Sequence, residues 1–174
     1  FTINMNEDYT SSEKVLSYDL DKNEIEKTYN VGKGPLNLAF KNKDLFVSNT
    51  YYDENYNSYH GTSKILDNES VVIKDYGKDS PCGGSIHNIE NTIYRSAYGG
   101  IVEIDENLEF ILNNRLGDFT QSEVYSIDFH NEKLYFGLTD YNNKNEVKVF
   151  DINSKIIESF NVGVIPGDFA FWNN

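Results

Sequence analysis

Short apolar runs separated by polar turns dominate this chain. Across residues 36–77 they predict four strands, at 36–40, 45–50, 62–66 and 71–76. Each run is rich in β-branched or aromatic residues and is bounded by Asn, Asp, Gly or Lys, which are typical of turns. No stretch long enough for a helix shows the 3.6-residue apolar period. The pattern therefore predicts an all-β protein.

The four-strand unit recurs along the chain. Each copy closes on a glycine, at Gly32, Gly77, Gly117 and Gly163, and the intervals between them are 40 to 46 residues. Ahead of each glycine an aspartate ends a short β-rich run, and a proline follows three of the four glycines. Repeated antiparallel four-stranded units of this length are typical of propeller blades. We therefore predict that each glycine ends an outermost strand, some with a positive φ, and that the aspartates form hairpin turns.

The two ends of the chain complement each other. Residues 167–172 match residues 36–41, an innermost strand, but no second strand follows them. Residues 1–5 resemble that missing second strand. We therefore predict one domain, 1–174, a β-propeller of four antiparallel four-stranded blades whose ring is closed by pairing of the N- and C-terminal strands. The blades comprise 167–174 plus 1–32, 36–77, 83–117 and 124–163. A fragment of a larger ring, or two chains forming one eight-bladed ring, would leave the same pattern.

Composition excludes several partners and sites. The net charge of −13 would repel nucleic acid and anionic membranes. No apolar run approaches the roughly 20 residues of a membrane span. Cys82 is the single cysteine, so an intramolecular disulfide and a cysteine-based zinc site are both excluded.

Two segments carry a family resemblance. Residues 32–40 read G-K-G-P-L-N-L-A-F, and residues 45–49 read L-F-V-S-N. Together they resemble the YVTN-type propeller repeat, which is related to the NHL and YncE-like propellers. The resemblance implies a propeller fold, a secreted or cell-surface location and a role as a scaffold or binder.

A group of polar residues is expected to line the axial channel of such a ring. Aligning the innermost strands places Asn37, Asp128 and Asp168 on the channel side, with His87 level with Asp128. Oxygen ligands favour a hard cation, so these three residues are a candidate metal site for an ion such as calcium. A channel that simply holds ordered water is the alternative. No other cofactor is expected.

Tyrosines mark the candidate binding surface. They lie in or beside the loops that join second to third strands, together with several acidic residues, and they are Tyr9, Tyr52, Tyr56, Tyr59, Tyr98 and Tyr141. A tyrosine ring offers a flat apolar face with a polar tip, which suits a protein or glycan partner. We expect Tyr52, Tyr56, Tyr59 and Tyr141 to be substantially exposed. The alternative is that a tyrosine-rich composition simply appears in every loop.

No catalytic motif supports an enzyme. The chain has neither a G-x-S-x-G nucleophile elbow nor an H-E-x-x-H metal motif. The leading hypothesis is a non-enzymatic, secreted or surface β-propeller that binds a protein or glycan. One alternative is a propeller enzyme of lactonase or lyase type with an axial cation. Another is a structural subunit of a self-assembled polymer, with homo-assembly through its edges.

Overall fold

The computed structural model describes residues 1–78, 84–143 and 145–172. Some residues named in the predictions lie outside these ranges: Pro81 of the repeat motif, Cys82, residue 83 of the third predicted blade and residues 173–174 of the first. Within them the chain is all-β, without a helix. Its strands are β1 (Thr2–Met5), β2 (Ser11–Asp19), β3 (Glu24–Asn30), β4 (Pro35–Lys41), β5 (Asp44–Tyr52), β6 (Ser58–Ile65), β7 (Val71–Lys78), β8 (Ile86–Ile89), β9 (Thr92–Ala97), β10 (Gly100–Ile104), β11 (Phe110–Leu116), β12 (Val124–His130), β13 (Lys133–Thr139), β14 (Asn145–Asp151) and β15 (Ile156–Asn161).

The strands form four antiparallel sheets in two compact units, Phe1–Ser80 and Pro81–Asn174. In the first unit, one sheet has the order β1-β2-β3 and the other has the order β4-β5-β6-β7. In the second unit, the orders are β8-β9-β10-β11 and β12-β13-β14-β15. Every strand pairs with its neighbour in sequence, so each sheet is a simple meander. The four strands predicted in residues 36–77 are therefore confirmed as β4 to β7.

Burial differs strongly between a central strand such as β5 and a last strand such as β15. Phe46, Val47, Ser48 and Asn49 are consecutive buried residues of β5, so both faces of that strand are covered. In contrast, all of β15 is exposed. Because β5 is covered on both faces, its buried positions are consecutive instead of alternating.

Each unit has its own apolar core. In the first unit, Val15, Val31, Val47 and Ile65 form one cluster. The larger cluster of the second unit is built from Ile89, Ile101, Val124, Ile127, Leu134, Phe136, Leu138 and Phe150. Phe119 packs against that cluster, with its ring centroid 5.3 Å from that of Phe136. Phe119, Phe136 and Phe150 thus stabilise the second unit as core residues.

Three of the four recurring aspartates form turns as predicted. Asp19, Asp105 and Asp151 each accept two backbone N–H groups of the turn that follows them. Asp67 differs, because its carboxylate pairs with Lys43 Nζ at 3.2 Å. In that turn the side chain of Asn68 accepts the backbone N–H instead. The position is therefore structural in all four repeats, with a one-residue shift in the second.

The prediction that some of the repeated glycines have a positive φ is confirmed. Gly77, near the end of β7, has a φ of 87°, and Gly117, directly after β11, has a φ of 86°. The φ angles of Gly32 and Gly163 are not positive. L-residues seldom adopt this conformation, so it explains the glycine at two of the four positions.

The C-terminal residues differ from the expected strand. Among the described residues, 162–172 form no strand, and the sheet that contains β1 has three strands. Stacking on aromatic side chains of β12 and β13 holds the segment instead. The Phe171 ring stacks on His130 with centroids 4.4 Å apart and lies 4.8 Å from Tyr135. The closure of a ring by the two ends of the chain stays a prediction.

Candidate functional site: the tyrosine loops

Four hairpin loops share a tyrosine with left-handed backbone geometry. We name these loops, which follow β1, β5, β9 and β13, the tyrosine loops; their described residues are 6–10, 53–57, 98–99 and 140–143. Their φ angles are 64° at Tyr9, 60° at Tyr56, 53° at Tyr98 and 62° at Tyr141. A positive φ is unfavourable for a bulky side chain, and such positions concentrate at functional sites.

Backbone hydrogen bonds accompany this geometry in the loops after β1 and β5. The N–H of Tyr56 donates to the carbonyl of Asp53 at 3.0 Å, and the N–H of Asp53 donates to the carbonyl of Asn57 at 3.0 Å. The loop after β1 repeats the pattern, with Tyr9 N–H donating to the carbonyl of Asn6 at 3.1 Å. The left-handed residue lets the chain re-enter the antiparallel ladder after a tight turn.

The turn geometry does not require tyrosine. The loops that follow β2, β6, β10 and β14 also contain a left-handed residue, at Asn23, Glu69, Leu108 and Ser154. Four similar backbone positions thus hold four different residue types, whereas all four tyrosine loops hold tyrosine. Since the backbone accepts other residues, the tyrosine side chain itself is the recurring feature.

Exposure separates these tyrosines into two pairs. Tyr9 and Tyr56 are 85% and 89% exposed, whereas Tyr98 and Tyr141 are 52% and 51% exposed. The ring of Tyr98 contacts Phe110 edge-on at 5.5 Å, and that of Tyr141 contacts Tyr125 edge-on at 6.2 Å. The second pair therefore contributes to packing, and the first pair projects into solvent.

Of the two remaining predicted tyrosines, one is exposed and one is not. Tyr52, the last residue of β5, is exposed. The expectation that Tyr59 is substantially exposed is wrong, because it lies half-buried in β6. Its ring stacks on Tyr51 with centroids 5.2 Å apart, and its hydroxyl donates to Asp53 Oδ2 at 3.2 Å. Tyr59 therefore supports the loop after β5.

The aspartate carboxylates of two tyrosine loops are used by the turns themselves. Asp53 Oδ1 accepts the N–H groups of Asn55 and Asn57, and Asp53 Oδ2 accepts the side-chain amide of Asn57 at 2.8 Å. The Asn57 side chain is the main reason that the pKa of Asp53 is lowered. In the loop after β1, the hydroxyl of Thr10 lowers the pKa of Asp8 in the same way. These two aspartates shape the loops.

A cleft beside Tyr51 is absent from the sequence-based predictions. It has a volume of about 340 Å³, and its lining includes Glu13, Lys33, Tyr51, Lys74 and Asp75. The Tyr51 hydroxyl contacts Asp75 Oδ2 at 3.1 Å. Desolvation by burial, and then that hydrogen bond, raises the pKa of Tyr51 to about 12. The sequence does contain a signal that Tyr51 lies in a different environment from Tyr52. Side chains alternate along a strand such as β5, which places these two tyrosines on opposite faces of the sheet.

The predicted metal ligands belong to two different units. Asn37 lies in β4 of the first unit, and Asp128 and Asp168 lie in the second. Asp128 Oδ1 and Asp168 Oδ1 each accept the backbone N–H of the following residue. Within the described ranges, no group of three or more His, Cys, Asp or Glu side chains could hold a metal ion. The axial cation site stays a prediction.

His87 lies beside one of those aspartates. Its Nδ1 is 3.9 Å from Asp128 Oδ1, and its Nε2 is 3.4 Å from the carbonyl oxygen of Ile127. Desolvation by burial lowers the pKa of His87, and the attraction to Asp128 opposes that shift. The imidazole is therefore neutral near pH 7.

The chain was compared with protein-family models and with curated proteins. No family model matches it, and no curated protein matches its sequence. No helix in the described part of the chain is long and apolar enough to cross a membrane.

Proposed function

We propose that this chain is a non-enzymatic binding module that contacts a protein or glycan through its tyrosine loops. The observation that carries the proposal is the left-handed tyrosine present in all four loops. A strained backbone that holds an exposed aromatic side chain costs stability and solubility, and a partner offsets that cost. Tyrosine also loses little conformational entropy on binding, because it has only two rotatable side-chain bonds.

We further propose that the four sheets are the blades of one propeller of the YVTN type. Three four-stranded meanders and a three-stranded sheet support this arrangement. Residues 167–172 repeat the sequence of β4, so they would supply the fourth strand beside β1. A secreted or cell-surface location follows from the resemblance to that family, and it is proposed on that basis.

The binding proposal is tested with the intact chain and a Tyr52→Ser/Tyr56→Ser variant on glycan and peptide arrays. Both side chains are exposed, so the thermal midpoint should stay nearly unchanged, as surface substitutions usually cost within about 0.5 kcal/mol. Binding to the array partner should weaken more than tenfold, or by about 1.4 kcal/mol. Arrays on which the intact chain binds nothing would overturn the proposal, as would equal binding by the variant.

A further inference from the structure

Two tyrosine loops of the first unit present the same pair of side chains. Residues 7–9 read Glu-Asp-Tyr, and residues 54–56 read Glu-Asn-Tyr. In both loops the tyrosine is left-handed and the glutamate two residues earlier is exposed. The two loops close with the same backbone hydrogen bonds, in which the tyrosine N–H donates to the carbonyl three residues earlier. The structure thus contains one arrangement twice.

Neither tyrosine side chain is used in packing among the described residues. In the part of the chain that the structure describes, Tyr9 and Tyr56 make no ring contact and no side-chain hydrogen bond. Their equivalents Tyr98 and Tyr141 each contact another ring. Packing therefore explains the second pair of tyrosines and leaves the first pair unexplained.

The glutamates of these loops are likewise unused. Glu7 and Glu54 form no ion pair or side-chain hydrogen bond among the described residues. The neighbouring Asp8 and Asp53 are occupied by their turns. Each loop therefore presents one unpaired carboxylate and one bare aromatic ring, with no lysine or arginine in residues 6–10 or 53–57.

We propose that the Glu7/Tyr9 and Glu54/Tyr56 pairs bind lysine or arginine side chains of a basic protein segment. A cation over a tyrosine ring is attracted by the π-electron face, and a nearby carboxylate adds an ion pair. The net charge of −13 draws a basic segment toward the chain from a distance. This inference rests on the proposed binding function and names the class of partner.

A basic segment fits these loops better than a glycan does. Recognition of a sugar needs several polar side chains that direct hydrogen bonds to its hydroxyl groups. The fixed carboxylates of the loops are already used by the turns, since Asp53 accepts four hydrogen bonds from its own loop and Tyr59. What remains in each loop is an exposed carboxylate two residues before an exposed aromatic ring, which is the chemistry of cation recognition.

The test measures binding of a short labelled peptide of alternating Arg and Gly by fluorescence anisotropy at near-physiological salt. The intact chain should bind it at least tenfold more tightly than a matched Gln and Gly peptide. A Tyr9→Asn/Tyr56→Asn variant should lose about tenfold in affinity, while its melting temperature does not fall, because Asn suits a left-handed position better than Tyr. Tyr9→Phe/Tyr56→Phe should keep affinity within about threefold, because the ring is retained.

A charge-matched control separates the site from general attraction. Glu7→Gln/Glu54→Gln should weaken binding several-fold. The control variant, Glu24→Gln/Glu158→Gln, changes the net charge equally, at exposed positions of β3 and β15. It should leave the affinity within about twofold of that of the intact chain. Equal weakening by both variants, or unchanged affinity of the Asn variant, overturns the inference.

Glycan arrays with the same variants distinguish the two proposals. If the chain binds a glycan and the Tyr9→Asn/Tyr56→Asn variant does not, while the Arg peptide is ignored, the cationic partner is wrong and the binding function stands. If neither ligand depends on these tyrosines or on Tyr52, both proposals fail.

Discussion

Replacing Gly117 with alanine should destabilise the second unit by about 2–4 kcal/mol. The φ of Gly117 is 86°, a conformation that costs an L-residue roughly 1–2 kcal/mol, partly offset by the lower entropy of the unfolded chain. A Cβ atom at this position would also lie 2.8 Å from Cζ of Phe136, a fully buried core residue. Because that ring packs against Phe119 and Phe150, it cannot move away cheaply, and overpacking adds about 1–3 kcal/mol.

Two other glycines of the repeat provide controls. Gly77 has a φ of 87°, but no atom of the described residues lies within 4 Å of an added Cβ, so Gly77→Ala should cost about 1 kcal/mol from the backbone alone. At Gly163 the φ is not positive and the space is open, so Gly163→Ala should change stability by less than about 0.5 kcal/mol. Urea unfolding followed by circular dichroism gives the three free energies, with Gly163→Ala as the reference within the second unit.

A double-mutant cycle isolates the clash with the aromatic ring. Phe136→Leu removes the ring atoms that the new Cβ would meet. The double variant Gly117→Ala/Phe136→Leu should therefore lose at least about 1 kcal/mol less unfolding free energy than the two single variants lose together. Additive costs, or equal costs for Gly117→Ala and Gly77→Ala, would show that the reasoning from the packed ring is wrong.

Three further predictions follow from charge and strand pairing. The pKa of His87 is lowered from 6.5 in the folded state, so on acidification the unfolded state takes up this proton at a higher pH than the folded state. The unfolding free energy should therefore fall as the pH drops below about 6.5. His87→Asn should flatten this part of a plot of melting temperature against pH. Asp44→Ala should cost about 1–3 kcal/mol in urea unfolding, because it removes the carboxylate 3.1 Å from the buried ammonium of Lys64, and adding Lys64→Met should recover most of the loss. Deleting residues 1–5 should lower the free energy of unfolding by several kcal/mol in the same assay, because it exposes the edge of β2. An unchanged free energy of unfolding would show that β1 does not stabilise the sheet.

The local structure of this chain was largely predictable from its sequence. Short β-branched runs bounded by turn residues predicted β4 to β7. The repeated glycines predicted that some of the four would have a positive φ, and Gly77 and Gly117 do. Asp105 formed its predicted turn for the same reason. All of these features depend on residues within a few positions of one another, so a local pattern contains the necessary information.

Side-chain environments were decided by the tertiary structure. The sequence analysis assigned Tyr9, Tyr56, Tyr59 and Tyr98 to one candidate binding surface. In the structure the first two project into solvent, Tyr59 stacks on a neighbouring strand and Tyr98 packs against Phe110. A ring partner lies on another strand, so a residue's own sequence neighbours do not identify it. The C-terminal residues show the same principle, because 167–172 have a strand-like sequence and yet are held by aromatic stacking in the second unit. Strand propensity is a weak preference, and contacts with residues distant in sequence determine whether a ladder forms.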